Sequence, residues 1–158
     1  MMFNLVNHVK INNLKLVISM NNIMSQTNLE QAIIDAFEAM GEQKQATQAY
    51  FSFLKSQIHL PVEKGSLETD PMVLFLEHGE HVFLPIFSHI QYLQTWAAEQ
   101  IDQIDIYTIT GVELIKGLGE HVIVALNPGT KTYKEFNPDE IDKLRTMILK
   151  IQSLANLS

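Results

Sequence analysis

Two histidines lie close together in a short polar segment between apolar runs. His78 and His81 are separated by Gly79 and Glu80, and Glu77 precedes them. Imidazole nitrogens and a carboxylate oxygen are common zinc ligands, so this spacing would allow a shared ion across a hairpin. The segment lacks the helical His-Glu pattern of catalytic zinc sites, and six histidines in 158 residues produce such neighbours by chance. We therefore interpret it as a solvated loop and predict no metal site and no cofactor.

The pair Ser88-His89 brings together two residue types that are used in acyl transfer. Adjacent residues do not place a hydroxyl against an imidazole, and no Gly-x-Ser-x-Gly elbow surrounds Ser88. The three glycines between residues 111 and 119 match neither a dinucleotide fingerprint nor a phosphate-binding loop. The sequence therefore predicts no catalytic residue, which favours a protein that is not an enzyme without deciding the question.

The turn at residues 127–130 is the most specific local signal. Pro128 at its second position and Gly129 at its third fit a type II turn, and the Asn127 side chain is able to bond its own backbone. The N–H groups of Gly129 and Thr130 would then be exposed to an anion or a peptide carbonyl. A purely structural turn is the alternative, because Pro-Gly turns are common without function.

The elements that position these residues are marked by three helix-start patterns, each behind an apolar, strand-like run. In each pattern the first side chain can accept a hydrogen bond from the N–H three residues on, while Gln or Glu reaches back. The patterns cover residues 88–91, 110–113 and 137–140. With a further buried strand at residues 121–126, they predict alternating strands and helices.

Two amphipathic segments upstream predict an N-terminal helical hairpin. The first helix begins at Leu29 and stops at Gly41. The second carries its apolar face as far as Ile58 and ends before Pro61, because the residue preceding proline disfavours helix.

The runs at residues 72–76 and 82–87 are continuously apolar, which is typical of strands covered on both faces. Pro85 cannot donate to a strand ladder and argues instead for an edge strand or a bulge, so the sequence leaves a conflict here. The predicted fold class is α/β (α+β), with a mixed β-sheet, flanking helices and the N-terminal helical hairpin.

The predicted helix after Ser88 carries more apolar surface than one sheet contact requires. One face is formed by Ile90, Leu93 and Ala97, whereas Tyr92 and Trp96 share the adjacent one. Either the N-terminal hairpin or a partner would cover the excess. The candidate binding residues are accordingly Tyr92, Trp96, Asn127, Pro128, Gly129 and Thr130.

Composition limits the partners and the compartment. The chain has no cysteine, which excludes disulfides and thiolate zinc sites and makes a reducing cytoplasm the default expectation. Its net charge is -7, and Lys and Arg occur singly, so we expect no nucleic-acid partner. No apolar run of about 20 residues is present, so we expect no membrane span and no signal peptide.

The first 23 residues are rich in asparagine and contain no carboxylate. Two interpretations stay open. Residues 1–23 are an extension outside the natural protein, which would then start at Met24, or they contain a strand at residues 14–18. We predict a single domain over residues 24–158.

Four segments in a fixed order carry a family resemblance. They are residues 50–62 at the end of the helical hairpin, residues 83–88 followed by Trp96, residues 123–129, and the helix start at residues 137–141. Together they resemble the SseB N-terminal domain family of bacterial proteins over about residues 27–150. The family is named for an enhanced serine sensitivity phenotype and supplies no established catalytic residues. Its members often continue into a second domain.

The expected function is a non-catalytic, cytoplasmic protein-interaction module that binds a protein partner or itself. One alternative is a regulator of a metabolic or sulfur-transfer enzyme, or an unrecognised small enzyme. Without cysteine the chain cannot itself carry a persulfide on a thiolate. A further alternative is a factor linked to type III secretion, because a translocon component shares the family's name.

Overall fold

The computed structural model describes residues 5–10, 29–39 and 43–155. Within these ranges the chain forms seven strands and five α-helices: β1 Leu5–Lys10, α1 Leu29–Glu38, α2 Gln43–Lys55, β2 Gln57–Glu63, β3 Met72–His78, β4 His81–Ile86, α3 Ile90–Trp96, β5 Ile104–Thr110, α4 Gly111–Gly117, β6 Val122–Leu126, β7 Lys134–Phe136 and α5 Pro138–Ala155. Short 3-10 helices cover Ser66–Glu68 and Ala98–Gln103. The strand considered at residues 14–18 lies outside the described residues.

All seven strands form one mixed sheet. Its order is β5-β2-β3-β4-β6-β7, and β1 pairs with β3 beside this path. The ladder between β4 and β6 is parallel, whereas the other ladders are antiparallel. The predicted α+β fold with a mixed sheet, flanking helices and an N-terminal hairpin of α1 and α2 is confirmed.

Helices pack on both faces of the sheet. A larger core joins its strands to α1, α2, α4 and α5, and a smaller core on the opposite face joins it to α3 and the second 3-10 helix. Neighbouring residues of β3 enter different cores, Val73 and Phe75 the larger one and Leu74 the smaller one. This division explains why the strand is continuously apolar. None of the described helices is long and apolar enough to cross a membrane.

The expectation that the second helix runs on past residue 55 is wrong. The helix α2 ends at Lys55, and β2 begins at Gln57. All seven residues of β2 pair with β5, and alternate residues of this strand, Ile58, Leu60 and Val62, enter the larger core. The ladder and the alternation of the core residues are satisfied only by a strand, and they override the helical spacing of the apolar residues.

Pro85 lies in an interior strand, and the backbone shows how the sheet accommodates it. Phe83 pairs with Leu76 on β3, and the next contact on that side is the exchange of two 2.8 Å hydrogen bonds between Phe87 and His59 of β2. Alternate residues of a strand direct their backbone groups to the same side. The backbone nitrogen of Pro85 therefore lies on this side, between the two pairs, where β4 separates from β3. No ladder hydrogen bond is made at this point, so the sheet does not need an N–H from Pro85.

Two of the three predicted capping boxes are confirmed. Thr110 Oγ1 accepts from the N–H of Glu113, whose carboxylate accepts from the N–H of Thr110. The same exchange joins Asn137 and Glu140 at the start of α5. The third box does not form, because the N-cap of α3 is His89 and no side chain caps the helix.

Gly111 provides a test of the packing between α2 and α4. A Cβ at this position would lie 2.1 Å from the carbonyl oxygen of Phe53, which belongs to rigid helix backbone. We expect Gly111→Ala to lower the free energy of unfolding by about 3 kcal/mol, since the two helices must move apart. Chemical denaturation measures this loss. Gly119→Ala is the matched control, because its Cβ meets nothing within 4 Å, and equal stability of the two variants would contradict the close approach.

Candidate functional site

An open groove of about 480 Å³ lies on the sheet face that carries the smaller core. Its floor is formed by β3, β4 and β6, and its walls by α3, β7 and the turn at residues 127–130. The residues that define it are Phe83, Trp96, Ala125, Pro128, Tyr133 and Glu135. The volume is within the usual range for sites that bind small molecules or side chains.

Alternation along the strands explains which residues reach the groove. Ala125 lies between Val124 and Leu126, which both belong to the larger core, so its side chain faces the opposite side of the sheet. Phe83 faces the groove for the same reason, because its neighbour Leu84 belongs to the larger core. The smaller core draws its strand residues from β3 and β5 and adds Phe87, so among the described residues β6 and β7 stay outside it. The small side chain of Ala125 adds to the space left there.

Trp96 is shared between the smaller core and the groove. Its ring lies 5.4 Å from that of Phe87, centroid to centroid, with the planes tilted by 49°. The side chain is half-buried and lines the groove wall. It is the single tryptophan of the chain, so its fluorescence reports on this site alone.

The turn at residues 127–130 has the expected type II geometry. The N–H of Thr130 donates to the carbonyl of Asn127 at 3.2 Å, and Gly129 has φ 81°. The expectation that the Thr130 N–H is exposed is therefore wrong, because the turn uses it. Pro128 and the exposed Gly129 line the groove.

The Asn127 side chain crosses to the end of β4 instead of bonding its own backbone as expected. Its Oδ1 accepts from the N–H of Ser88 at 2.8 Å, while Nδ2 donates to Ser88 Oγ at 2.9 Å and to Thr132 Oγ1 at 3.0 Å. The residue is fully buried and has φ 54°, which asparagine tolerates better than most residues. Asn127 and Thr130 therefore support the groove from behind.

Tyr92 lies outside the groove, at a junction between α1 and α3. Glu30 of α1 accepts from Ser88 Oγ at 3.4 Å and lies 2.9 Å from His89 Nε2. A hydrogen bond from Tyr92 to the same carboxylate, with burial as a lesser cause, raises the pKa of Tyr92. The helical hairpin thus contacts the start of α3 through Glu30. Ser88 and His89 both turn to Glu30, an arrangement unlike that of a serine nucleophile and its base.

The histidine pair that suggested a metal closes the β3–β4 hairpin. His78 and His81 pair directly, so the loop is the two residues Gly79 and Glu80, with φ 63° at the glycine. His78 lines the groove. In the described part of the chain, no three potential metal ligands come together.

A second cavity, of about 440 Å³, lies between the helical hairpin and the start of α5. Its polar groups are already paired with one another. Lys134 Nζ lies 2.8 Å from a Glu140 oxygen, which also accepts from the Tyr50 hydroxyl at 3.3 Å. The groove on the other face differs in that its described lining contains no lysine or arginine to pair with a carboxylate.

The family model of the SseB protein N-terminal domain matches residues 29–143. The chain belongs to this family. No curated protein and no solved structure matches the chain. The matched region runs from α1 into α5, so the groove and the junction at Glu30 both lie inside the SseB domain.

Sequence reasoning identified three of the groove residues in this SseB domain, Trp96, Pro128 and Gly129. It did not predict the other lining residues as binding residues, among them Phe83, Ala125, Tyr133 and Glu135. The signal for the last two was the period-two pattern of residues 132–136, which places Tyr133 and Glu135 on the face opposite to Phe136.

Asn127 tests how strongly the turn is fixed to β4 in the SseB domain. We expect Asn127→Ala to lower the free energy of unfolding by about 3 kcal/mol, because it leaves the Ser88 N–H without its partner and strains a positive φ. Asn127→Gly removes the same side-chain bonds without the strain. The control is Asn137→Ala, which removes an exposed cap and costs about 1 kcal/mol. A loss at Asn127 no larger than this control would contradict the assignment.

Tyr133 should be the last tyrosine to ionise. Burial, and then its hydrogen bond to Glu135, raises the pKa of Tyr133 to about 12. Because the folded pKa exceeds the unfolded value, the contribution of Tyr133 to stability is complete below pH 10 and is lost as the pH rises towards 12. The absorbance of tyrosinate followed against pH should lose its final step in Tyr133→Phe and keep it in Tyr107→Phe. A final step that persists in Tyr133→Phe would disprove the shift.

Proposed function

We propose that this SseB domain is a non-catalytic cytoplasmic module that binds an extended segment of a partner protein in the groove. The observation that carries the proposal is an open, largely apolar groove beside the part of the sheet that α3 leaves uncovered. Exposed apolar concavities on soluble proteins are typical of sites for partners or ligands.

The position of β7 supports an extended partner. This strand is the last in the sheet order and contains only three residues, Lys134–Phe136. Its outer edge is beside the groove and offers backbone donors and acceptors to a segment that adds to the sheet. Alternate side chains of such a segment would face the groove side of the sheet and the opposite side.

The polar groups near the groove support a binding role over catalysis. Asn127 and Ser88 bond to each other, and the Tyr133 hydroxyl donates to Glu135. Tyr133 is made a weaker acid than usual by its surroundings. An activated nucleophile has an adjacent general base or a lowered pKa, whereas the pKa of Tyr133 is raised. These contacts serve structure and positioning.

The test is to select peptides from a random display library on the full chain and titrate each one while recording Trp96 fluorescence. Ala125→Phe fills the groove from its floor, and Thr146→Phe adds the same ring to an exposed position on α5. We expect the selected peptides to change the Trp96 signal and to lose about tenfold in affinity for Ala125→Phe only.

Melting temperatures of both variants are measured first, and Ala125→Leu replaces Ala125→Phe if the larger ring lowers the melting temperature. Peptides that bind the filled groove as tightly as the original protein would overturn the proposal. A library that yields no peptide would overturn it as well.

A further inference from the structure

We propose that the groove recognises an arginine side chain in the partner segment, held between aromatic rings and the Glu135 carboxylate. This inference rests on the proposed binding function and names the chemistry of its partner. Four features of the groove support it: its aromatic walls, an oriented carboxylate, the placement of the neighbouring cations and the charge of the whole chain.

Three elements contribute aromatic rings. Trp96 comes from α3, Phe83 from β4 and Tyr133 from the chain that enters β7, and all three line the groove. The faces of aromatic rings carry negative charge density and attract cations, tryptophan most strongly. A planar guanidinium also stacks on such rings, and it is more weakly hydrated than an ammonium group. Arginine therefore suits an apolar groove better than lysine.

Glu135 provides the charge that apolar walls lack. It lines the groove, and the Tyr133 hydroxyl donates to its Oε1. This bond limits the positions of the carboxylate, and its remaining lone pairs can still accept from the two N–H groups of a guanidinium. A tyrosine hydroxyl is protonated at neutral pH, so Tyr133 remains a donor there.

The nearby lysine does not pair with Glu135, so the carboxylate can accept a cation from a partner. Lys134, the neighbour of Glu135, points to the opposite face, where its Nζ pairs with Glu140 and lies 5.3 Å from the centre of the Phe136 ring. The groove lining in the described chain includes Glu77 and His78 but no lysine or arginine. The net charge of -7 attracts a basic segment over a longer range.

The test uses four capped pentapeptides that differ only at the central residue, Arg, Lys, norleucine or Glu, with leucine on either side. Each peptide is titrated into the full chain, and Trp96 fluorescence is recorded. We expect the arginine peptide to bind about tenfold more tightly than the norleucine peptide and more tightly than the lysine peptide. Its affinity should fall with added salt, whereas that of the norleucine peptide should not.

Glu135→Gln should remove most of the preference for arginine over norleucine while leaving norleucine binding unchanged. Glu120→Gln is the matched control, because Glu120 is highly exposed, lies outside the groove lining and has its carboxylate 3.9 Å from His121 Nε2. Loss of the arginine preference in Glu135→Gln alone supports the inference.

The failure of this inference differs from the failure of the proposed function. If the norleucine peptide binds as tightly as the arginine peptide, the groove is an apolar site and the arginine assignment is wrong. Equal binding of lysine and arginine would overturn the stacked guanidinium. If no peptide in this series, and none from the display library, changes the Trp96 signal, binding in the groove is itself wrong.

Discussion

The buried side chain of Asn127 ties together the ends of β4 and β6, the parallel strand pair of the described sheet. An interior amide is tolerated only when its donors and acceptor are satisfied, and here Ser88 and Thr132 provide the partners. Parallel neighbours end at the same edge, so such a link between their ends is short. The turn, the start of α3 and the groove wall all take their positions from it.

The same link extends to the N-terminal hairpin. Ser88 accepts from Asn127 and donates to Glu30, so one hydroxyl connects β6 to α1 through the end of β4. The predicted role of Ser88 as a helix cap was wrong for this reason. A serine next to a buried amide and a carboxylate has stronger partners than the N–H groups of a seven-residue helix.

Local signals predicted the elements, and long-range pairing determined the rest. The capping boxes at Thr110 and Asn137 and the type II turn at Pro128 depend on neighbours within three residues, and all three were predicted. The strand β2 was missed because its identity depends on β5, more than 40 residues later. The groove was predicted in part for the same reason. Trp96 was predicted because the helix after Ser88 carries more apolar surface than one sheet contact requires. The position of Ala125 in the groove depends on the strand order.

At the β7 edge of the sheet, the positive and the negative side chain lie on opposite faces, which makes the groove face suitable for a cation. Lys134 and Phe136 face the larger core, where the ammonium group is paired with Glu140, while Tyr133 and Glu135 face the groove. A lysine on the groove side would neutralise Glu135 and occupy the space between the rings. The alternation of side chains along β7 therefore has two effects, of which the burial of Phe136 is one. It separates the two charges of the strand, so that the acidic one is left at an aromatic surface where a guanidinium can replace the water around it.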